Sequence, residues 1–337
     1  MPRYPEKYDN FGMSTFKRCA REGHYRIDRD LVPSGKSSSA LLFGSMMHKA
    51  LDKMYEEKDM EKGVEAMLAA YHEDPFEDQK RSPMRGAEML AAYWDYWQDR
   101  MEEFETVGIE VYFEFPLWGV DDLVCDTCHK AFAADFLKGD SCGFETCKGT
   151  LVYRVVYCGL IDKIERNKKT GEVIGKDHKT TSYLDGSYLE SMKLSSQFMG
   201  YYFWLANHSP WKDDVGNTFL ADFLLTAQSS KYAEQPGLPL RRENIHATPE
   251  ILTEWQVDTQ QWVETIQEWR TKSGYAYGHE FNADPNSLPV LPPKNPDNCS
   301  RYRSLCPFYG LCSHPPIMRD THINMLYEES EWDPQNR

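Results

Sequence analysis

The sequence predicts a mixed α/β (α+β) fold in which helices flank a small mixed central sheet. Segments with apolar residues at helical spacing come first, then segments of alternating β-forming residues, then further helix- and strand-like segments. The 337 residues are 41% hydrophobic and 13% aromatic, enough for one large core or two modest ones. No apolar run approaches the roughly 18 residues of a membrane helix, and residues 1–10 lack a secretory signal. We therefore expect a cytoplasmic protein without a membrane partner.

Each predicted element follows from local periodicity. Apolar residues three and four positions apart predict helices over residues 39–57, 60–72, 85–104, 188–207 and 249–270. Alternating or β-branched runs predict strands over residues 109–117, 151–166, 172–180, 218–229 and 241–246.

Four consecutive parts follow from this pattern. Residues 1–120 are helical and end on the first core strand, and residues 121–149 form a cysteine-containing insertion. Residues 150–287 form the core of the protein. Residues 288–337 are rich first in proline and then in cysteine. We find no internal repeat and no low-complexity segment.

The most informative segment is a predicted hairpin. A turn centred just after Lys169 places Asp162 directly opposite Asp177, and directly opposed residues share a face of a sheet. Alternation along the second strand then places Asp177 and Lys179 on one face and His178 on the other. Two carboxylates and one ammonium group are thus expected to converge.

Such a convergence favours a divalent cation. Two close carboxylates repel each other unless a cation lies between them, and Mg²⁺ and Mn²⁺ prefer oxygen ligands. Water bound to such an ion can be activated to attack a phosphodiester. Lys179 could orient that water or offset charge on the phosphate. The alternative is a plain surface ion pair between Asp177 and Lys179, because D-x-K triplets are common.

Charge is unevenly distributed. The net charge of −15 disfavours a passive nucleic-acid coat, because phosphate binding requires Lys and Arg. Basic residues are concentrated in one segment, at Lys163, Arg166, Lys168, Lys169, Lys176 and Lys179. This predicts a basic strip that meets DNA at one groove. A solvated charged hairpin is the alternative.

The nine cysteines favour metal ligation over disulfides, since their number is odd and their spacing is clustered. Cys125 and Cys128, followed by Cys142 and Cys147, have the spacing of a zinc knuckle. This insertion could grip DNA, contact a partner or only stabilise its own loop. Cys158 is expected to be an ordinary core residue.

Four elements together resemble the RecB-like branch of the PD-(D/E)XK nuclease superfamily. They are Asp162 on one strand, Asp177-His-Lys179 on the next, Gln197-x-x-x-Tyr201 on the following helix, and His48 on an early helix. The resemblance covers residues 11–57 and 150–312, and the combination in this order is specific. It implies a restriction-endonuclease-like core.

The resemblance also implies roles. His48, Asp162 and Asp177, with the backbone carbonyl of His178, would bind Mg²⁺ or Mn²⁺. Lys179 would be the catalytic lysine. The resemblance further implies that Gln197 and Tyr201 face the site and the DNA.

One cysteine before the core and three after it form a second set: Cys19, Cys299, Cys306 and Cys312. This arrangement resembles the iron–sulfur members of the branch, which include AddB-type helicase–nuclease subunits and CRISPR-associated RecB-like exonucleases. There a 4Fe–4S cluster held by four thiolates joins the chain ends as a clamp. Zinc binding and free buried cysteines are the alternatives.

The expected function is therefore a metal-dependent DNA exonuclease of phage or prokaryotic type, acting in replication, recombination or repair. DNA would be its substrate, and a helicase, recombinase or CRISPR integrase its protein partner. If phage-encoded, it would act in the host cytoplasm. One alternative is a catalytically silent module that binds DNA or a partner. Another is an RNase or structure-specific endonuclease on the same scaffold.

Overall fold

The computed structural model describes residues 4–35, 38–132, 136–144, 146–227, 231–235, 237–273, 291–301, 304–331 and 333. The chain divides into two compact units. The first unit comprises residues 1–35, 114–159 and 254–336, and the second comprises residues 36–113 and 160–253 with Arg337. Among the described residues, no helix combines the length and apolarity needed to cross a bilayer.

The elements are as follows in chain order. The helices are α1 Asn10–Arg18, α2 Ala20–Gly23, α3 Ser39–Glu57, α4 Met60–Glu73, α5 Pro83–Glu103, α6 Gly186–Met192, α7 Ser196–Asn207, α8 Pro249–Lys272, α9 Tyr309–Ser313 and α10 Arg319–Leu326. The strands are β1 Glu6–Tyr8, β2 Leu31–Pro33, β3 Phe104–Pro116, β4 Leu123–Cys125, β5 Ala131–Phe132, β6 Leu151–Tyr153, β7 Val155–Asn167, β8 Val173–Thr181, β9 Thr218–Leu225, β10 Leu240–His246, β11 Ser300–Arg301, β12 Ser304–Leu305 and β13 Tyr327–Glu329.

The second unit is built on a mixed sheet. Its strands lie in the order β7, β8, β9 and β10, and β3 pairs with β7. The β7–β8 and β9–β10 pairs are antiparallel, whereas β8 and β9 run parallel. Helices α3 and α7 both contact β8. The predicted architecture, a mixed sheet flanked by helices, is confirmed.

The helices α3, α4 and α5 form the helical part of this unit. Each begins after a side chain that accepts a hydrogen bond from the first turn, namely Ser38, Asp59 and Ser82. Apolar side chains at helical spacing fill the space between them, among them Met47, Met54, Met67, Met89 and Leu90. The bounds agree with the predicted helices to within two residues.

The first unit contains several small sheets. Strand β1 pairs in parallel with residues 155–157 of β7, and β2 pairs with β13. The cysteine-containing insertion holds a three-stranded antiparallel sheet in the order β5, β4 and β6. In α8, Arg270 donates hydrogen bonds to Tyr8 (2.7 Å) and Asp28 (2.8 Å), which tie this helix to the N-terminal segment of the unit.

Two of the predicted elements are each divided into two shorter elements in the structure. The strand predicted over residues 151–166 breaks at Arg154, because β6 pairs with β4 in the insertion while β7 pairs with β1 and β8. The helix predicted over residues 188–207 breaks at residues 193–195. There the hydrogen bonds tighten to a three-residue span and Ser195 is extended, so α7 starts afresh.

Two predicted boundaries fall partly outside the described residues. The strand predicted over residues 218–229 ends at Leu225, and Ser229 lies outside the described part of the chain. The predicted boundary between residues 287 and 288 lies outside it as well.

Candidate active site

The site begins with the register of the β7–β8 hairpin. Lys163 pairs with Lys176, and Arg166 pairs with Val173. Continuing this register by one pair places Asp162 opposite Asp177, as the sequence predicts. The turn is closed by local hydrogen bonds. The side-chain oxygen of Asn167 accepts from the backbone N–H groups of Lys169 and Thr170.

Asp162 is held from two sides. It is buried at 5% exposure on a strand of apolar neighbours, and its Oδ2 accepts a hydrogen bond of 2.6 Å from the backbone N–H of His178. His48 Nδ1, on α3, lies 3.4 Å from the same oxygen. Burial alone would raise the pKa of Asp162, but His48, His178 and Lys179 outweigh it and hold the pKa below its usual range. Asp162 is therefore a fixed, ionised carboxylate.

Asp177, Lys179, Gln197 and Tyr201 form the other side of the site. Lys179 Nζ lies 2.7 Å from Asp177 Oδ2. Gln197 on α7 donates to Asp177 Oδ1 (3.4 Å) and to the Tyr201 hydroxyl (2.7 Å), one helical turn away. Burial and the nearby Asp162 raise the pKa of Asp177 to about 6, although Lys179 opposes the shift. Hydrogen bonds from Gln197 thus connect the Gln-x-x-x-Tyr segment of α7 to Asp177 of the hairpin.

Two carboxylates that sequence reasoning missed lie beside His48. Glu110 is on β3, 4.0 Å from His48 Nδ1, and the ligand atoms of His48, Glu110 and Asp162 all lie within 4.8 Å of one another. Glu110 has a φ of 47°, a left-handed conformation that is uncommon for a strand residue. Burial, Glu110 and Asp162 together raise the pKa of Asp52 to about 8. Asp52 could have been found, since it follows His48 by one helical turn.

This donor set fits a hard divalent cation. Carboxylate oxygens and a histidine nitrogen converge there, and carboxylate, carbonyl and water ligands suit Mg²⁺ and Mn²⁺. His48, Glu110 and Asp162 make up this group, and the hairpin register places Asp177 opposite Asp162.

A buried polar relay lies on the opposite face of β8. The His178 imidazole contacts the Tyr55 hydroxyl at 2.9 Å, and Tyr55 donates to the Tyr93 hydroxyl (2.6 Å). Tyr93 donates to Asp222 (2.6 Å), which also accepts two hydrogen bonds from Arg242. Burial would raise the pKa of Asp222, yet Arg242 keeps it far below its usual range. The relay fixes the side chain of the residue between Asp177 and Lys179.

The prediction of a basic strip is wrong for Lys163 and Lys176. Lys163 and Lys176 are only 2% and 3% exposed, because both strands are buried at these positions and both ammonium groups lie near the Tyr55 ring. Both ammonium groups lie about 3 Å from Glu165, at 3.0 and 3.1 Å. Burial lowers the pKa of Lys176 to about 7. These lysines form a buried ion network and not a DNA-binding surface.

The cysteine-containing insertion brings four sulfurs together. Cys125 and Cys147 are 3.5 Å apart, Cys128 and Cys142 are 3.4 Å apart, and all four sulfurs lie within 4.8 Å of one another. A Cβ on Gly149 would stand 2.5 Å from the Cys125 sulfur, so the chain can pass there only as glycine. Four thiols at these separations fit one tetrahedral zinc ion.

Four further cysteines line one small cavity in the first unit: Cys19, Cys299, Cys306 and Cys312. Among the residues that the structure describes, these four do not form a group with mutual sulfur distances within 4.8 Å. The backbone N–H of Asn295 donates to the Cys19 sulfur at 3.4 Å. Four thiols around one cavity are compatible with either a zinc ion or an iron–sulfur cluster. Cys158 lies apart, buried on β7, where it contacts the Tyr8 carbonyl.

Comparison with known proteins gives one extensive match. A family model described as the PD-(D/E)XK nuclease superfamily matches residues 12–313. No curated protein matches significantly. Among solved structures, an Eubacterium rectale protein named "Putative exonuclease" is 14% identical, with 84% of this chain and 92% of that chain covered and a TM-score of 0.46. A protein named SSO0001 is also 14% identical, with 74% and 84% covered and a TM-score of 0.23. At these TM-scores neither likeness supports a conclusion about activity.

Proposed function

This chain belongs to the PD-(D/E)XK nuclease superfamily, and we propose that it is a Mg²⁺- or Mn²⁺-dependent exonuclease that hydrolyses phosphodiester bonds in DNA. The observation that carries the proposal is the convergence of Asp162, Asp177 and Lys179 on one face of the hairpin, beside His48. A catalytically silent module would not need a lysine poised beside two buried carboxylates.

We assign metal binding to His48, Asp162, Asp177 and the backbone carbonyl of His178. A bound cation would polarise the phosphoryl oxygens and lower the pKa of an attacking water. The protein's own part is to hold the ligands in place. The His178 N–H fixes Asp162 at 2.6 Å, so the two strands of the hairpin present their ligands as one unit.

Lys179 is proposed as the catalytic lysine. It is ion-paired with Asp177, and although burial lowers its pKa, Asp177 raises it further, so the ammonium stays charged at neutral pH. A fixed positive charge there can offset negative charge that develops on the phosphate. Gln197 holds Asp177 through its amide and would orient substrate together with Tyr201.

The two cysteine sets are proposed to be structural. Four closely spaced sulfurs in the insertion would bind one zinc ion, which would stabilise a loop that has little core of its own. The four cysteines around the cavity would hold a 4Fe–4S cluster that clamps the N-terminal segment of the first unit to its C-terminal segment.

The place of the enzyme in the cell is a further part of the proposal. His48 and the Gln197–Tyr201 segment favour the RecB-like branch, in which nucleases process DNA ends in recombination or repair. A helicase, recombinase or CRISPR integrase would then supply the DNA end.

The test is a cleavage assay on matched substrates. End-labelled linear single-stranded DNA, linear duplex, closed circular DNA and RNA of the same sequence are incubated with Mg²⁺, Mn²⁺ or Ca²⁺. We expect linear DNA to be degraded in Mg²⁺ or Mn²⁺ and circular DNA to stay intact. Nicked circles would indicate an endonuclease, degradation of RNA alone an RNase, and no cleavage in any metal a silent module.

A further inference from the structure

A cavity of about 550 Å³ opens where strand β8 ends. Its walls include Tyr183 and Asp185 after the strand, Leu225 at the end of β9, and Lys231 and Tyr232 in the following loop. Two aromatic rings and a lysine around one open cavity are a composition that suits a nucleotide.

The cavity lies on the same face of the sheet as the active site. In the parallel β8–β9 pair, Asp177 lies beside Ala221, Lys179 beside Phe223 and Thr181 beside Leu225. Side chains alternate along a strand, so Thr181 and Leu225 share the face of Asp177 and Lys179. Leu225 lines the cavity. At a strand rise of about 3.3 Å per residue, the start of the cavity is roughly 10 Å from Lys179.

Tyr183 is an exposed ring in a fixed position. It is 69% exposed, so its ring fills no core space. The Thr181 hydroxyl donates to the Tyr183 carbonyl (2.7 Å) and accepts from its N–H (3.2 Å), and the Tyr183 hydroxyl bonds to Asp185. These contacts tie the ring to the end of the catalytic strand and reduce the entropy that binding would otherwise cost.

Residues after β9 supply a second ring and a positive charge to the cavity lining. The Tyr232 ring packs 3.7 Å from the position that a Cβ on Gly186 would occupy. Lys231 Nζ lies 4.9 Å from the centre of that ring. Asp185, the nearby carboxylate, already accepts hydrogen bonds from Ser187 and from the backbone N–H of Tyr188, which offsets its charge.

We propose that this cavity is a stacking subsite for an unpaired base of the nucleic-acid strand being cleaved, within a few nucleotides of the cleaved bond. Tyr183 would stack on the base, Tyr232 would close the other side, and Lys231 would meet the adjoining phosphate. Aromatic rings beside basic side chains are how proteins bind single strands without sequence preference. The inference rests on the proposed nuclease function, and it adds that the substrate enters this site single-stranded.

Binding is measured by fluorescence anisotropy of a labelled single-stranded DNA oligonucleotide in Ca²⁺. Loss of one stacked base costs about 5- to 150-fold in affinity, so Tyr183→Ala should weaken binding by that factor. Tyr183→Phe keeps the ring and loses only the hydroxyl bond to Asp185, so it should bind much more tightly than Tyr183→Ala. Leu194→Ala, which truncates another exposed side chain of the second unit (82% exposed), is the matched control and should change nothing. Lys231→Ala should flatten the dependence of log affinity on log salt by about 0.7.

A scan of abasic oligonucleotides locates the subsite. An abasic nucleotide at the stacked position should weaken wild-type binding as much as Tyr183→Ala does, and should have no further effect on that variant. If no abasic position weakens binding, or if Tyr183→Ala binds as tightly as the wild type, the subsite proposal is overturned. Cleavage by the wild type would still support the nuclease proposal. Binding that follows the predicted scan without cleavage in any metal would keep the subsite and overturn the proposed function. Absence of any binding would overturn both.

Discussion

The relay behind the active site leads to a prediction about Tyr55. The Tyr93 hydroxyl donates its hydrogen bond to Asp222, and the Tyr55 hydroxyl donates its own to Tyr93. The contact of 2.9 Å between Tyr55 and His178 is therefore a hydrogen bond only if His178 Nε2–H donates to it. His178 is 2% exposed, so its ring has no access to bulk water as a substitute partner. Tyr55→Phe removes the one acceptor that this N–H has in the relay.

The expected size of the effect follows from burial. A buried donor left without a partner costs about 1–3 kcal/mol, so the free energy of unfolding should fall by about that amount. The His178 backbone N–H also fixes Asp162 at 2.6 Å, so a displaced ring disturbs a proposed metal ligand. Groups that orient metal ligands contribute roughly 10- to 100-fold in metal affinity. Half-maximal cleavage by Tyr55→Phe should therefore require about 10- to 100-fold more Mn²⁺.

Two measurements separate positioning from stability. Urea denaturation gives the loss of folding free energy, and initial rates against Mn²⁺ concentration give the metal requirement. Tyr93→Phe is the matched control, since it removes a buried hydroxyl of the same relay but leaves the Tyr55–His178 contact in place. It should lose similar stability with little change in metal requirement. If Tyr55→Phe is destabilised but needs no more Mn²⁺ than wild type, the relay does not position the metal ligands.

Four other outcomes are expected. Asp177→Ala should abolish cleavage while circular dichroism and iron content stay unchanged; wild-type rates in Mn²⁺ would contradict the active-site assignment. Burial and neighbouring carboxylates raise the pKa of Asp52 to about 8, so Mg²⁺ binding at pH 7 should drive its ionisation and release protons into weakly buffered solution, which Asp52→Asn should suppress. Cys125→Ser should lose zinc but keep iron by elemental analysis, and equal zinc content would rule out the knuckle. Cys306→Ser should give colourless protein that melts earlier, while Cys158→Ser stays brown when purified without oxygen; a colourless, zinc-loaded wild type would exclude the cluster.

The hairpin could be predicted because its determinants are local. The turn chemistry near Asn167 sets the register, and alternation then decides which side chains share a face. The same reasoning explains why helix α3 was predicted to the residue, since its apolar spacing lies within its own sequence.

The misjudged features depend on tertiary contacts. Lys163 and Lys176 belong to the basic segment by sequence, but the fold buries them near the Tyr55 ring, where Glu165 neutralises them. The break at Arg154 likewise depends on which partner strand each half finds. Neither the covering helix nor the partner strand can be read from the segment itself.

Glu110 shows how the same limitation affects the site. Its backbone φ is 47°, and its carboxylate lies within 4.8 Å of the ligand atoms of His48 and Asp162, which come from other elements of the fold. With Asp52 and Asp177, four carboxylates then lie near one another, and burial together with mutual repulsion keeps the pKa of Asp52 and Asp177 high. Such crowding destabilises the metal-free fold and is relieved when a divalent cation binds. The acidic character of the chain is therefore compatible with a polyanionic substrate, because a cation bound at this site would offset the charge of the phosphate in place of a basic surface.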